Sequence, residues 1–465
     1  MNLHLAVLSV YSLGLMALGL WIGRRVRGAS DFFVAGRRLG PGLIFSTMLA
    51  ANIGAGSTVN ATGLGYSQGL AAWWWVGSAA IGSTALAFWI GPAIRRAAAA
   101  HDLRTVGDYL EFRYSQTVRG VVSTLLWFGS IAILAGQLIA IGTILNVVAA
   151  IPFAWGCAIG GAVITVYFTA GGLLTSAWVN VVQLTVKMLG FAVALPLAIS
   201  AAGGWSGVTS VRGNDMAYWT FARGDLALAY FVAIAPAFVV SPGLLQKIFG
   251  ARDDRAVRVG VGLNALGLFV YAIVPALLGI AARGLFGALA DPQQALPLIL
   301  IRALPPIVGA IGLAAVFSAE ISAADASLFM LTTSLSQDLY KRFIAPDASD
   351  DTVLRVARWT AFVSGIFGIA LAVASASIVQ VLTIFYTLLS VSLFVPIVAG
   401  LFVPSASTRD ALAAISAGVA VMLMIQVSTG GRGYGLVTPA LGGLAAAIIV
   451  WGVSHALVSH RRHRG

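Results

Sequence analysis

The chain has 465 residues, of which 59% are hydrophobic and only 9% are charged. A soluble globular domain holds about 25% charged residues, so a water-soluble enzyme and a disordered chain are both excluded. The formal net charge of +12 does not mark a nucleic-acid binder, because the basic residues are scattered through connections between apolar stretches and build no contiguous patch.

A membrane-crossing helix needs roughly 20 apolar residues. Thirteen such stretches follow in chain order, at about 4–23, 41–67, 70–94, 118–149, 152–170, 175–202, 226–249, 258–283, 306–340, 354–376, 378–403, 410–428 and 436–457. No Lys or Arg precedes the first stretch, and Arg24, Arg25 and Arg27 follow it. That charge order is the reverse of a cleaved signal peptide and predicts a retained first helix. The single cysteine, Cys157, lies inside an apolar run, which leaves no disulfide framework and no metal cluster. The expected class is an all-α polytopic protein of the lipid bilayer, and nothing in the pattern requires an oligomer.

Charge placement predicts the orientation. With the N-terminus outside, the inner connections hold Arg24, Arg25, Arg27, Arg37, Arg38, then Arg95, Arg96, Arg104, Arg113, Arg119, then Lys247, Arg252, Arg255, Arg258. Lys341, Arg342, Arg355, Arg358, Arg409 and the tail residues Arg461, Arg462 and Arg464 complete the inner set of 22. The outer connections hold five, Arg212, Arg223, Arg283, Arg302 and Arg432. Such a bias predicts a cytoplasmic C-terminus in a cell inner membrane. Trp73, Trp74 and Trp75 open the third stretch at the outer face, as an interfacial belt or as a wall facing a solute.

Two stretches resist regular helix. The second contains Leu49-Ala-Ala-Asn-Ile-Gly-Ala-Gly-Ser57, and the seventh contains Val239-Val-Ser-Pro-Gly-Leu-Leu-Gln246. Pro242 removes a backbone donor and Gly243 is permissive. A break in lipid frees carbonyls, which is tolerated only where they line a cavity or bind something. The breaks are five stretches apart, so each opens a five-helix unit and the second unit is inverted relative to the first. Paired interruptions of that kind point to a transporter's midplane site and discriminate against a channel, while a membrane sensor domain would be expected to continue into a long signalling module after the thirteenth stretch.

Intramembrane charge is sparse. Glu320 and Asp325 both fall in the ninth stretch, with Ser322 three residues before Asp325 on the same face and Glu320 on another. Lys187 is the intramembrane lysine, and Asn180, Gln183 and Lys187 form one polar stripe. Charges at this depth are functional candidates or structural ion pairs. There is no GxxxxGK[ST], HExxH, CxxC or nucleophile-elbow motif, so neither ATP-driven transport nor an intramembrane enzyme is supported.

Several segments together resemble the sodium/solute symporter family, which includes the sodium/glucose cotransporters and the proline permeases. Asp31-Phe-Phe-Val-Ala-Gly-Arg-Arg38 is similar to the family's first inner loop, and Ala50-Ala-Asn-Ile53 to its broken first core helix. Tyr167-Phe-Thr-Ala-Gly-Gly172 with Trp178-Val-Asn-Val-Val-Gln183 resembles the YTxxGG…WTDxxQ stretch. Ser241-Pro-Gly-Leu-Leu-Gln-Lys247 with Gly250-Ala-Arg-Asp253 resembles the sixth core helix, and the run from Ala314 to Lys341 the eighth.

The resemblance implies a LeuT-type 5+5 inverted repeat and alternating access. Residues 1–39 would be an extra helix and inner loop, 40–205 and 206–404 the two repeats, and 405–465 two extra helices and a short tail. It implies a sodium ion held by the carbonyls of Ala50, Ile53 and Ala319 and the hydroxyl of Ser322, with no organic cofactor. Two sodium-associated side chains of the family have no counterpart, because Ala323 follows Ser322 and Asn180 stands where an Asp is expected. Lys187, two turns deeper on the same stripe, is then a candidate to substitute for or compete with sodium, its protonation gating the cycle. The expectation is a sodium-coupled symporter of a small organic solute, with a proton-coupled carrier or a uniporter as the alternative. The solute site would draw on Asn52, Ser57, Val76, Ser241, Pro242, Gly243 and Tyr386, with Asn180, Lys187, Glu320 and Asp325 in ion coupling or gating. Val76 and Ser57 occupy positions where the sugar carriers have an acid and a Gln, which argues against a sugar. Helix termini at the breaks favour a carboxylate, and Glu320 and Asp325 a cationic amine; both remain open.

Overall fold

A computed structural model describes residues 3–23, 33–169, 172–211, 215–375 and 377–462. Arg24, Arg25, Arg27, Asp31, Phe32, Ala170, Gly171, Arg212 and Arg464, used in the sequence reading, lie outside the described residues. The helices in order are α1 (Leu3–Gly23), α2 (Pro41–Asn52), α3 (Ala61–Gln68), α4 (Trp73–Ala85), α5 (Gly91–Ala100), α6 (Val106–Arg113), α7 (Gln116–Ala149), α8 (Phe153–Thr169) and α9 (Gly172–Ala201). They continue with α10 (Gly224–Val240), α11 (Pro242–Phe249), α12 (Asp254–Tyr271), α13 (Ile273–Phe286), α14 (Pro306–Thr333), α15 (Asp350–Ser375), α16 (Ile378–Phe402), α17 (Thr408–Thr429) and α18 (Pro439–Arg462). Local chemistry sets many boundaries. Thr105 with Asp108 and Ser407 with Asp410 form capping boxes that start α6 and α17. Pro41 and Pro242 sit at the first position of α2 and α11, where a missing N–H does no harm.

Among the described residues, eleven helices are long and apolar enough to cross a bilayer, against thirteen expected. The difference arises at two places. The stretch expected at 41–67 stops after Asn52, and its outer part joins the next in one helical run, Gly56–Ala100. That run turns at Gly69, whose φ of 68° suits glycine. The stretch expected at 152–170 is helical over Phe153–Thr169, up to the edge of the described residues there, and does not enter the count of eleven.

Polarity is arranged inside out relative to a soluble protein. Leu189, Trp359 and Met424 are largely exposed, at 62%, 69% and 68%. Lys187, Glu320 and Asn180 are buried in the interior. An apolar exterior over a polar centre is what a bilayer protein with an internal site requires.

Packing brings the two interrupted regions together. α2 contacts α9, α12 and α14, and the short α11 contacts both α2 and α14. α10 packs on α4 and α16, and α7 on α14 and α16.

At the side expected to be cytoplasmic, α6 is fastened twice. Arg113 donates to the carbonyls of Gly400 (2.8 Å), Val403 (2.6 Å), Pro404 (2.9 Å) and Ala406 (3.1 Å), oxygens left without helical partners at the end of α16. Glu111 accepts from Arg342 through Nε at 2.8 Å and from Arg119 at 3.0 Å, and Arg119 reaches Asp108 at 2.8 Å and Asp338 at 2.9 Å. Burial pushes the Glu111 carboxyl up, but the bonds from Arg342 and Arg119 outweigh it and hold it below the usual 4.5.

Candidate ion and solute site

The first break is complete in its backbone accounting. α2 ends at Asn52, and Ile53 turns extended at φ −94° and ψ 90°. The freed N–H of Gly54 donates to the Ser57 hydroxyl at 3.1 Å, and that of Ala55 to Gln137 Oε1 at 2.8 Å. The Gly54 carbonyl accepts from Ser57 N at 2.9 Å and from Thr58 N at 3.0 Å. A Cβ at Gly54 would lie 2.3 Å from the Ala323 Cβ and 2.7 Å from Gln137 Oε1, so the bend is built around a missing side chain. The second break lies at Ser241, with φ −54° and ψ 121°, between α10 and α11.

The carbonyls freed at the first break face Lys187. Its ammonium donates to Ala50 O at 2.5 Å, to Ile53 O at 3.2 Å and to Ser322 Oγ at 2.5 Å. Three acceptors match the three N–H bonds of the group. The Ser322 hydroxyl lies 2.8 Å from Ala50 O and 3.0 Å from Ala319 O, and its single hydrogen serves one of them at a time. The four oxygens named from the resemblance therefore gather in one nest. Three of them contact the lysine, and the Ala319 carbonyl joins through Ser322.

Two further polar clusters flank this nest. Glu320 is buried, accepts from Thr58 Oγ1 at 2.7 Å, and lies within electrostatic range of Lys187. Asp325 accepts from the Ser176 hydroxyl. Asn180 donates to Thr47 Oγ1 at 2.9 Å and to Ser176 Oγ at 3.2 Å, while its Oδ1 is buried without a hydrogen-bond partner.

A cavity of about 60 Å³ lies between the breaks. Its lining includes Asn52, Ser57, Val76, Ser241, Gly243 and Tyr386. Pro242, expected with them, does not line it and instead starts α11. Asn52 donates its side-chain amide to Asn264 at 3.0 Å, and Ser57 spends its hydroxyl on the break, so their polar groups are already engaged. Glu320 and Asp325, expected in ion coupling or gating, do not line the cavity. Trp75 does, packed edge-on against Tyr230 and Tyr386, while Trp73 and Trp74 lie in an outer apolar groove with Phe221 and Phe269.

Two residues escaped the sequence reading. Gln137 lines the cavity and ties down the break; a Gln at mid-depth of a long apolar helix was the available signal. Lys247, counted with the inner loops, is buried in α11 and lines the cavity. Among the described residues its amine has no hydrogen-bond partner, and Asp325 lies within electrostatic range.

The sequence profile of the Sodium:solute symporter family matches residues 32–418. The chain belongs to the sodium:solute symporter family. It is 25% identical over 458 residues to the sodium/pantothenate symporter of Escherichia coli, covering 93% of this chain and 91% of that one. It is 24% identical over 449 residues to the human sodium/iodide cotransporter, covering 88% and 67%. Its structure is similar to that of a Na+-coupled sialic acid symporter in a substrate-bound outward-open state, with a TM-score of 0.82 at 18% identity over 98% of each chain. Mhp1, a nucleobase-cation-symport-1 family transporter in a closed conformation, follows at 0.62 and 16%, over 92% of this chain and 94% of that one. The symporter has the LeuT-type inverted-repeat fold, and it is a multi-pass membrane protein built for secondary transport of a small solute by alternating access.

Proposed function

We propose that the protein is a sodium-coupled symporter that carries a small organic anion across the cytoplasmic membrane, with its N-terminus outside and its C-terminus inside. Residues 40–205 and 206–404 are the two inverted repeats in this reading, and the chain is a transporter and not an enzyme. Sodium is the coupling ion because the family, the pantothenate and iodide carriers and the sialic acid symporter named above are sodium-coupled, which favours it over a proton-coupled carrier or a uniporter. The nest of Ala50, Ile53, Ala319 and Ser322 offers the bare oxygens that a hard monovalent cation needs.

The observation that supports an anionic solute is Lys247. Among the residues lining the cavity it alone is charged, no acid accompanies it there, and its amine has no hydrogen-bond partner. A buried ammonium without a bonded counter-charge is unfavourable until an anion arrives, whereas a cationic solute would meet repulsion. Trp75, Val76 and Tyr386 supply apolar walls for the rest of a small molecule.

The test is uptake into proteoliposomes under an inward sodium gradient, with labelled small carboxylates, amines and neutral polyols compared. Sodium-driven accumulation confined to carboxylates is expected. Accumulation of amines alone would overturn the anionic assignment, and carboxylate uptake that ignores the sodium gradient would overturn the coupling.

A further inference from the structure

The nest expected to take sodium contains the protein's own cation. The Lys187 ammonium bonds directly to three of the four oxygens, at 2.5, 3.2 and 2.5 Å, and is buried in the interior. A sodium ion bound to the same oxygens would stand within contact distance of that ammonium. Two like charges cannot share so small a space in a medium of low dielectric constant. One must leave when the other enters.

We infer that Lys187 is a tethered competitor for the coupling ion: its side chain fills the nest when sodium is absent and must withdraw for sodium to bind. This inference rests on the sodium-coupled reading above and adds a second occupant to its ion site. The tether has a function in the cycle. A symporter must return empty after releasing its cargo, and an empty nest would leave the Ile53 carbonyl unpaired and the Ala50 carbonyl with the Ser322 hydroxyl alone in a dry interior. The ammonium satisfies both and joins α2, α9 and α14 without an ion, so the unloaded carrier keeps the helix contacts it needs to reorient.

The surroundings support a side chain that can exchange places. Glu320 on α14 supplies an opposite charge within electrostatic range, and Lys247 on α11 a like one. The neighbouring α1, α2 and α13 carry no acid. The nest itself is made of backbone and hydroxyl oxygens, which serve either cation, so the exchange is between occupants of equal charge.

The experiment measures sodium binding to the purified full-length protein, by radiolabelled sodium and by sodium-dependent thermal stabilisation, with choline chloride keeping ionic strength constant. Wild type, Lys187→Ala and Lys187→Ser are compared, and Ser322→Ala is added to the Lys187→Ala chain. Removing the tether should lower the sodium midpoint by about tenfold or more, a coupling of the usual size for two ligands of one site. The Ser322→Ala change should raise it again, which assigns the response to this nest. A midpoint unchanged or raised in both folded lysine variants overturns the inference and leaves sodium coupling standing. A complete absence of sodium binding in every chain, wild type included, overturns both readings.

Discussion

The Lys187 ammonium lies 2.5 Å from the Ala50 carbonyl oxygen, although 137 residues separate the two in the chain. One side chain thus closes the open end of α2 against α9, and through Ser322 it reaches α14. Replacing it with methionine keeps the bulk and removes three charge-assisted bonds. The Ile53 carbonyl is then left unpaired and the Ala50 carbonyl keeps only the Ser322 hydroxyl, and a destabilisation of about 1–3 kcal/mol is expected in sodium-free buffer. Thermal unfolding of purified Lys187→Met checks this; a melting temperature equal to that of wild type would mean that the carbonyls find other partners.

The bend after Asn52 depends on the missing Cβ of Gly54. In Gly54→Ala the new methyl would fall 2.3 Å from the Ala323 Cβ, so the end of α2 and α14 must separate or the bend must change. Overpacking of this kind typically costs about 1–3 kcal/mol, and here it falls on the ion nest. Solute uptake should drop by about tenfold or more, since a misplacement of about 1 Å can be that costly at a working site. The double variant Gly54→Ala with Ala323→Gly restores the space and should recover part of the activity. Equal activity in the single and double variants would argue against contact between these two positions.

Lys247→Met separates recognition from stability. The amine has no hydrogen-bond partner, so its loss should leave the melting temperature unchanged or higher. Uptake of an anionic solute should nevertheless fall by about tenfold or more, chiefly through a raised KM, because a buried charge partner is removed. Parallel loss of stability and uptake would instead mark the lysine as structural.

The inner fastening at Glu111 predicts a response to acid. Its carboxyl is held below 4.5 in the folded protein, so its contribution is present at neutral pH and is lost as pH falls through that lowered value. Glu111→Gln should lower the melting temperature at neutral pH, by an amount on the order of 1–3 kcal/mol in stability for a doubly bonded charged group. The gap between the variant and wild type should narrow as the pH falls below the ordinary carboxylate range. A gap constant with pH would show that the carboxylate charge is not what matters there.

Much of the fold was written in local pattern. Apolar length marked most of the crossings, and Pro242 with Gly243 and the run from Asn52 to Ser57 marked both interruptions, because a backbone that cannot stay helical in lipid must be used for something. The thirteen stretches correspond to eleven continuous apolar helices among the described residues, since the break after Asn52 joins the outer part of one stretch to the next and α8 ends where the described residues do. The nest was reachable only through resemblance, because three of its four oxygens belong to the backbone and leave no signature in residue type. Lys247 was misread for a physical reason. It stands close to Arg252 and Arg255 in sequence, where charge reads as loop, and its depth is set by the packing of α11 against α2 and α14. Glu320 and Asp325 lie five residues apart on one helix and turn to different partners, Thr58 and Ser176, neither of which is adjacent in the chain.

Arg113 presents its guanidinium to four carbonyls between Gly400 and Ala406, in the last turn of α16 and just beyond it. A planar fork with several simultaneous bonds resists both twisting and sliding. The short α6 and the tail of α16 therefore behave mechanically as a single plate. Any inward opening has to find its pivot away from that rivet, and the one-residue joint at Ser241, where α10 gives way to α11, is a place where the chain departs from helix and can bend.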